Sequence, residues 1–184
     1  SLEDLIREVE KRNKESVDTA RRLLDEVRKK LKDSIDRSRK LLEEVRRKLE
    51  EVIKDAKRKL KTDKDVEKEL KDVTDTLEKL IRKLEEENER SRKRLEDLIK
   101  RLRDESRKHS DDLRRKVEDA RKVSDERVVE EIMRRLEKSV ERHTEEVKRV
   151  VREAEELVKD NTRKVEELVR RAEKLVEDLE RRTR

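Results

Sequence analysis

Two histidines, His109 and His143, are the residues of this chain best suited to acid–base or metal chemistry, because imidazole titrates near neutral pH and is the commonest metal ligand. A metal site needs three or four convergent donors, and neither histidine has a His, Asp or Glu at i+3 or i+4 inside its core-facing stripe. No metal site is therefore expected. The chain has no cysteine, which removes thiol nucleophiles, disulfides and Cys-type zinc sites and leaves the redox compartment open. Its many carboxylates read as solvated surface, and no nucleophile and base share a pocket, so no catalytic residue and no cofactor are expected. What remains is a set of hydroxyls and amides in odd places. In "LLDEVRKKLKDSIDRSRK" Leu23, Leu24, Val27, Leu31 and Ile35 recur at helical spacing, and Ser34 and Ser38 share their stripe.

The elements that position these groups follow from composition and period. Of the 184 residues 29% are apolar and 60% charged, too little apolar material for a globular core and enough charge to raise the question of disorder. Periodicity answers it: at 100° per residue the seven stripe positions from Leu23 to Ser38 fill one unbroken arc of about 120°. The pattern also repeats, since "LIREVEKRN", "LLDEVRKKL" and "LLEEVRRKL" begin at residues 5, 23 and 41. A period of about 18 residues closes in five turns of 3.6, so it favours straight helices over the supercoil of a heptad. Leu77, Leu95 and Leu113 keep the same period, as do Val129, Val147 and Val165. Gly, Pro, Phe, Tyr and Trp are all absent, which leaves regular helix as the expected structure throughout.

Start and stop chemistry divides the chain into three. Basic residues through Lys61 precede Thr62 or Asp63 as a cap; Arg121 and Lys122 precede Ser124 as the next, with Asp125 and Glu126 in the first turn. Acids follow each start and bases fill each end, as the helix dipole favours. The expected fold is all-α: a single domain, 1–184, forming a straight antiparallel up-down-up three-helix bundle with helices at about 2–61, 64–122 and 125–182. Each helix would be about 90 Å long at 1.5 Å per residue. Residues at one height should then have numbers totalling about 125 between the first two helices and about 247 between the last two.

That register sorts the polar core positions into two bands, each drawing on all three helices. One holds Ser34, Ser38, Asn88, Ser91, Asn161 and Thr162; the other holds Asn13, Ser16, Ser106, His109, Ser110, Ser139, His143 and Thr144, with Thr19 beside them. A buried hydroxyl or amide costs about 1–3 kcal/mol when unpartnered and little when its network is complete. Two matched bands thus penalise sliding or wrong pairing of stripes made of Leu and Val. The histidines are expected to serve this structural role. A pH-responsive role is the alternative, since protonation below about pH 6 would place charge in the bundle.

The straight repeat, the missing glycines and aromatics, the near-equal capped helices and the banded Ser, Asn and His layers resemble a de novo designed helical bundle with buried hydrogen-bond networks. The resemblance spans the whole chain and is one of style, so it carries over no functional residues. It implies a structural scaffold without evolved activity. Spectrin-like repeats are a poorer likeness, because their helices are about half as long and usually carry a core Trp.

The net charge of +6 does not mark a nucleic-acid binder: signs alternate at helical spacing, as in Glu26 with Lys30 and Glu43 with Arg47, and no aromatic could stack on a base. Membrane binding is disfavoured by the lack of Trp, Phe and any all-basic face, and no apolar run approaches the roughly 20 residues of a span. Ser1 opens directly into helix without a signal peptide, so a soluble protein is expected, of otherwise unassigned location. No partner is required, because the apolar arcs suit a self-contained monomer. The rival is a designed oligomerisation component, in which the glycine-free turns straighten and helices exchange between chains.

Overall fold

A computed structural model describes residues 1–60 and 64–184. They form three long helices, α1 (Leu2–Lys59), α2 (Lys64–Lys122) and α3 (Glu126–Arg182), and no strand occurs among the described residues. Glu3 and Asp4 open α1, Asp65 and Glu67 open α2, and each helix closes on Lys or Arg, so every terminus carries charge opposed to its dipole. At the start of α1 the Ser1 hydroxyl accepts from the Asp4 amide at 3.4 Å and donates to the Asp4 carboxylate at 2.9 Å. The cap of α3 is Asp125, not Ser124 as the sequence suggests. Its carboxylate accepts from the Arg127 amide at 3.0 Å and its carbonyl from the Val129 amide at 3.1 Å, which fills both functions of an N-cap one residue later than expected. The expected cap of α2, Thr62 or Asp63, lies outside the described residues. No helix among the described residues is long and apolar enough to cross a membrane.

The chain packs as two compact units. Unit 1 combines Ser1–Arg28 with Arg94–Glu156, and unit 2 combines Lys29–Lys93 with Leu157–Arg184, so each takes a segment from all three helices in up-down-up order. In unit 2, Leu42, Leu49, Leu77, Leu84, Val169 and Leu179 belong to one buried cluster. In unit 1, Ile6 and Val9 of α1 pack with Leu113 and Val117 of α2 and with Met133, Leu136 and Val140 of α3. Ala56, Ala120, Ala154 and Ala172 are completely buried. Leu5 and Val128 are the large apolar residues left exposed among the described residues, at 42% and 40%.

Guanidinium–carboxylate pairs join α1 to α2 along the rims. Arg28 grips Glu96 with two bonds of 2.9 and 3.1 Å and Arg121 grips Glu3 with two of 3.1 and 3.2 Å, both in unit 1. In unit 2, Arg39 grips Glu85 at 3.1 and 2.9 Å, and Arg46 reaches both carboxylate oxygens of Glu78 at 3.2 Å. The residue numbers of each pair total about 124, as expected for antiparallel neighbouring helices. Between α2 and α3 the matched totals run a few residues above the expected 247, because Val123, Ser124 and Asp125 are spent before α3 begins.

Core and rim should respond very differently to truncation. Leu84→Ala is expected to lose about 2–5 kcal/mol of unfolding free energy, the cost of a cavity in a tight core. Arg39→Ala, at a half-exposed ion pair, should lose no more than about 1 kcal/mol. Denaturant titration followed by circular dichroism measures both, and similar losses would contradict this division.

Candidate functional site: two buried polar layers

In unit 2 the polar residues form a continuous relay. The Ser91 hydroxyl of α2 donates to Asn161 Oδ1 of α3 at 2.7 Å, and Asn161 Nδ2 donates to Asn88 Oδ1 of α2 at 3.3 Å. Asn88 Nδ2 donates to Ser38 Oγ of α1 at 3.4 Å, and the Ser38 hydroxyl donates to the carbonyl of Ile35 at 2.8 Å. Asn88 and Asn161 are only 1% and 2% exposed, so bulk solvent does not reach them and these bonds meet their polar groups from within the protein. Ser34 of α1 and Thr162 of α3 close the remaining side at 3.1 Å. All six residues expected in this band come together. Ser34 and Ser91, expected at one height, do not bond each other; each bonds a residue of α3.

In unit 1 the polar residues make separate pairs, one per helix interface. Asn13 Nδ2 of α1 donates to Ser110 Oγ of α2 at 3.2 Å, and Ser106 Oγ of α2 lies 3.0 Å from His143 Nε2 of α3. Thr144 Oγ1 of α3 lies 3.2 Å from Ser16 Oγ of α1 and 2.8 Å from the Val140 carbonyl. A hydroxyl carries one hydrogen; with the Thr144 hydrogen on its own helix, Ser16 becomes the donor across the interface. His109 and His143 stack across α2 and α3 with ring centroids 4.3 Å apart and planes 14° from parallel. Two members of the expected band stand apart. Thr19 is exposed, because its position turns it outward from the stripe, and half-buried Ser139 bonds none of the other band residues.

The unit 1 layer is also incompletely satisfied. Asn13 Oδ1 and His109 Nε2 are buried and have no hydrogen-bond partner among the described residues. Burial, then the nearby His143, then Lys116 push the His109 pKa down, against Asp112, to about 4. Burial likewise lowers the His143 pKa, while Glu105 of α2 and Glu146 of α3 pull the other way. Both rings are therefore neutral at pH 7. The stacked geometry offers no shared position for a metal ion, and no group of three or more His, Cys, Asp or Glu suited to one occurs among the described residues.

Sequence reasoning missed the stack, the two orphaned atoms and the carboxylates facing His143. Similar height could place the histidines side by side but not fix their ring planes. Glu105 and Glu146 carried a usable signal, since each lies within four positions of a band residue on its own helix.

The three helices and their polar layers define the chain as a three-helix bundle protein. Among solved structures it is similar to one described as "Computationally designed three helix bundle", at 20% sequence identity and a TM-score of 0.36, with 99% of this chain and 86% of that chain covered. No protein-family model matches the chain, and no curated protein matches it.

The depressed histidine pKa values set a pH dependence. The unfolded chain takes up a proton at each histidine near pH 6.5, while folded His109 resists until about pH 4, so the unfolded state binds more protons in that window. The stability associated with neutral His109 is full above pH 6.5, falls as pH drops towards 4, and levels off below. His109→Gln/His143→Gln should remove this part of the slope while leaving the part due to carboxylates. Denaturation midpoints of both proteins between pH 7.5 and 4 test it, and parallel curves would refute it.

Proposed function

We propose that this chain is a structural scaffold of the designed-bundle kind, with no catalytic activity, whose helix order and register are set by its two buried polar layers. The observation that carries this reading is the Ser91–Asn161–Asn88–Ser38 relay, which crosses all three helices and ends on a backbone carbonyl. Polar groups placed so deep serve no surface partner, and their requirement for one another fits a role in specifying the fold. The long uninterrupted helices, the absence of glycine and the alternating surface charge support the same reading. Each unit fills its core from the chain's own three helices, so the reading requires no exchange of helices between chains.

The stacked imidazoles favour a second reading, in which unit 1 also loosens in mild acid. His109 Nε2 has no buried partner to receive its proton, and a second imidazolium would stand 4.3 Å away. That reading rests on the pH window given above.

Replacing the unit 2 relay with apolar residues tests the first reading. A Ser38→Ala/Asn88→Leu/Ser91→Ala/Asn161→Leu variant should remain helical and become as stable or more stable, because buried polar networks seldom outperform packed hydrocarbon. It should lose uniqueness, seen as broadened or doubled amide resonances and a mixture of masses. A single sharp spectrum at the mass the unaltered chain shows under the same conditions would show that the relay does not set the register.

A further inference from the structure

The geometry points to a second copy of this chain as the partner of an open groove between α1 and α3 of unit 1, docked antiparallel with α3 against α3. The groove has a volume of about 890 Å³ and an apolar floor that includes Leu23 of α1 with Val140, Val147 and Val151 of α3. Beside that floor runs a charged stripe of α3. Glu137, Glu141, Lys148 and Arg152 all line the groove, and Arg134 and Glu155 continue the stripe. At 100° per residue the six fall within one arc of about 60°, next to the arc of the valines.

The order of signs along this stripe is what selects the partner. Reversing the helix about a point between Thr144 and Glu145 sets Glu141 opposite Lys148, Glu137 opposite Arg152 and Arg134 opposite Glu155. Each of these six charges meets its opposite, and Glu145 meets the uncharged Thr144 beside the axis. In an antiparallel helix pair the same flank of each helix faces its counterpart, so the charged stripe meets the charged stripe and the apolar flank meets the apolar floor. A two-fold axis makes each contact twice, the self-complementary arrangement that closed dimers require. The charges are also available. Lys148 lies 3.5 Å from Glu145, but Arg134, Glu137, Glu141, Arg152 and Glu155 have no ion-pair partner among the described residues, whereas other charges of unit 1 are paired, such as Arg135 with Glu131 and Arg149 with Glu146. The second copy goes beyond the scaffold reading, which needs only one chain.

Two charge reversals and their mixture test the inference by sedimentation equilibrium. The unaltered chain should approach twice its 22.5 kDa as concentration rises. Glu137→Lys/Glu141→Lys makes the stripe basic, and Lys148→Glu/Arg152→Glu makes it acidic. Each variant alone should dimerise at least about tenfold more weakly, because four contacts per dimer turn repulsive. An equimolar mixture of the two should regain the two-chain mass. Circular dichroism checks that both remain helical, as expected for substitutions outside the buried core. The inference is overturned if the unaltered chain stays at one-chain mass, if it grows beyond two chains, if both variants associate as the unaltered chain does, or if the mixture shows no gain. Association untouched by either reversal would point to helix exchange instead.

Discussion

Buried amides without water constrain this protein more than any other feature. An asparagine side chain presents an acceptor and two donors, and at 1% or 2% exposure those groups must find protein partners or cost free energy. Asn88 and Asn161 find each other through one N–H and one carbonyl oxygen, and one further bond of each reaches Ser38 on one side and Ser91 on the other. The apolar residues of unit 2 do not discriminate in this way, because Leu and Val tolerate many neighbours. A slip of one residue in any helix would swing an amide towards hydrocarbon, while leaving most leucines with an acceptable environment. Burial of apolar area supplies most of the stability, and in the proposed reading the amides select the arrangement that receives it.

Unit 1 illustrates the same constraint met less fully. Its layer is three separate pairs and a ring stack, and Asn13 Oδ1 and His109 Nε2 remain unpartnered. The low pKa of His109 comes first from burial and then from the neighbouring His143, which together hold the ring neutral. The layer is also more exposed, and its hydroxyls partly bond their own helix, as Thr144 does with Val140. Polar residues at matching height are thus necessary for a connected layer but not sufficient.

Much of the fold was legible because it depends on period and end chemistry. The 18-residue recurrence of Leu and Val locates the buried stripe, and clusters of Lys and Arg followed by acids locate the helix ends to within a residue or two. The cap of α3 was misplaced by one residue because Ser124 and Asp125 are both good caps, and only backbone geometry chooses between them. Band membership was legible where a residue lies well inside the stripe, as Ser38 and Asn161 do. It failed for Thr19, at the margin, where a small rotation of the helix decides between core and solvent. Partners within the bands were not legible, since rotamers rather than heights select them: Ser34 reaches Thr162 and not Ser91. The two orphaned atoms fall in the same class.

The relay in unit 2 has a direction. Its hydrogens all point from Ser91 towards Ile35, and the arrow is anchored where the Ser38 hydroxyl meets a carbonyl that cannot donate in return. Turning over one carboxamide would set donor against donor on one side and acceptor against acceptor on the other. The two asparagines therefore flip together or not at all, and a concerted flip must also release Ser38 from Ile35. Three helices so joined share a single internal polarity, handed from one to the next, and the side-chain amide protons at its centre should be among the slowest in the molecule to trade places with solvent.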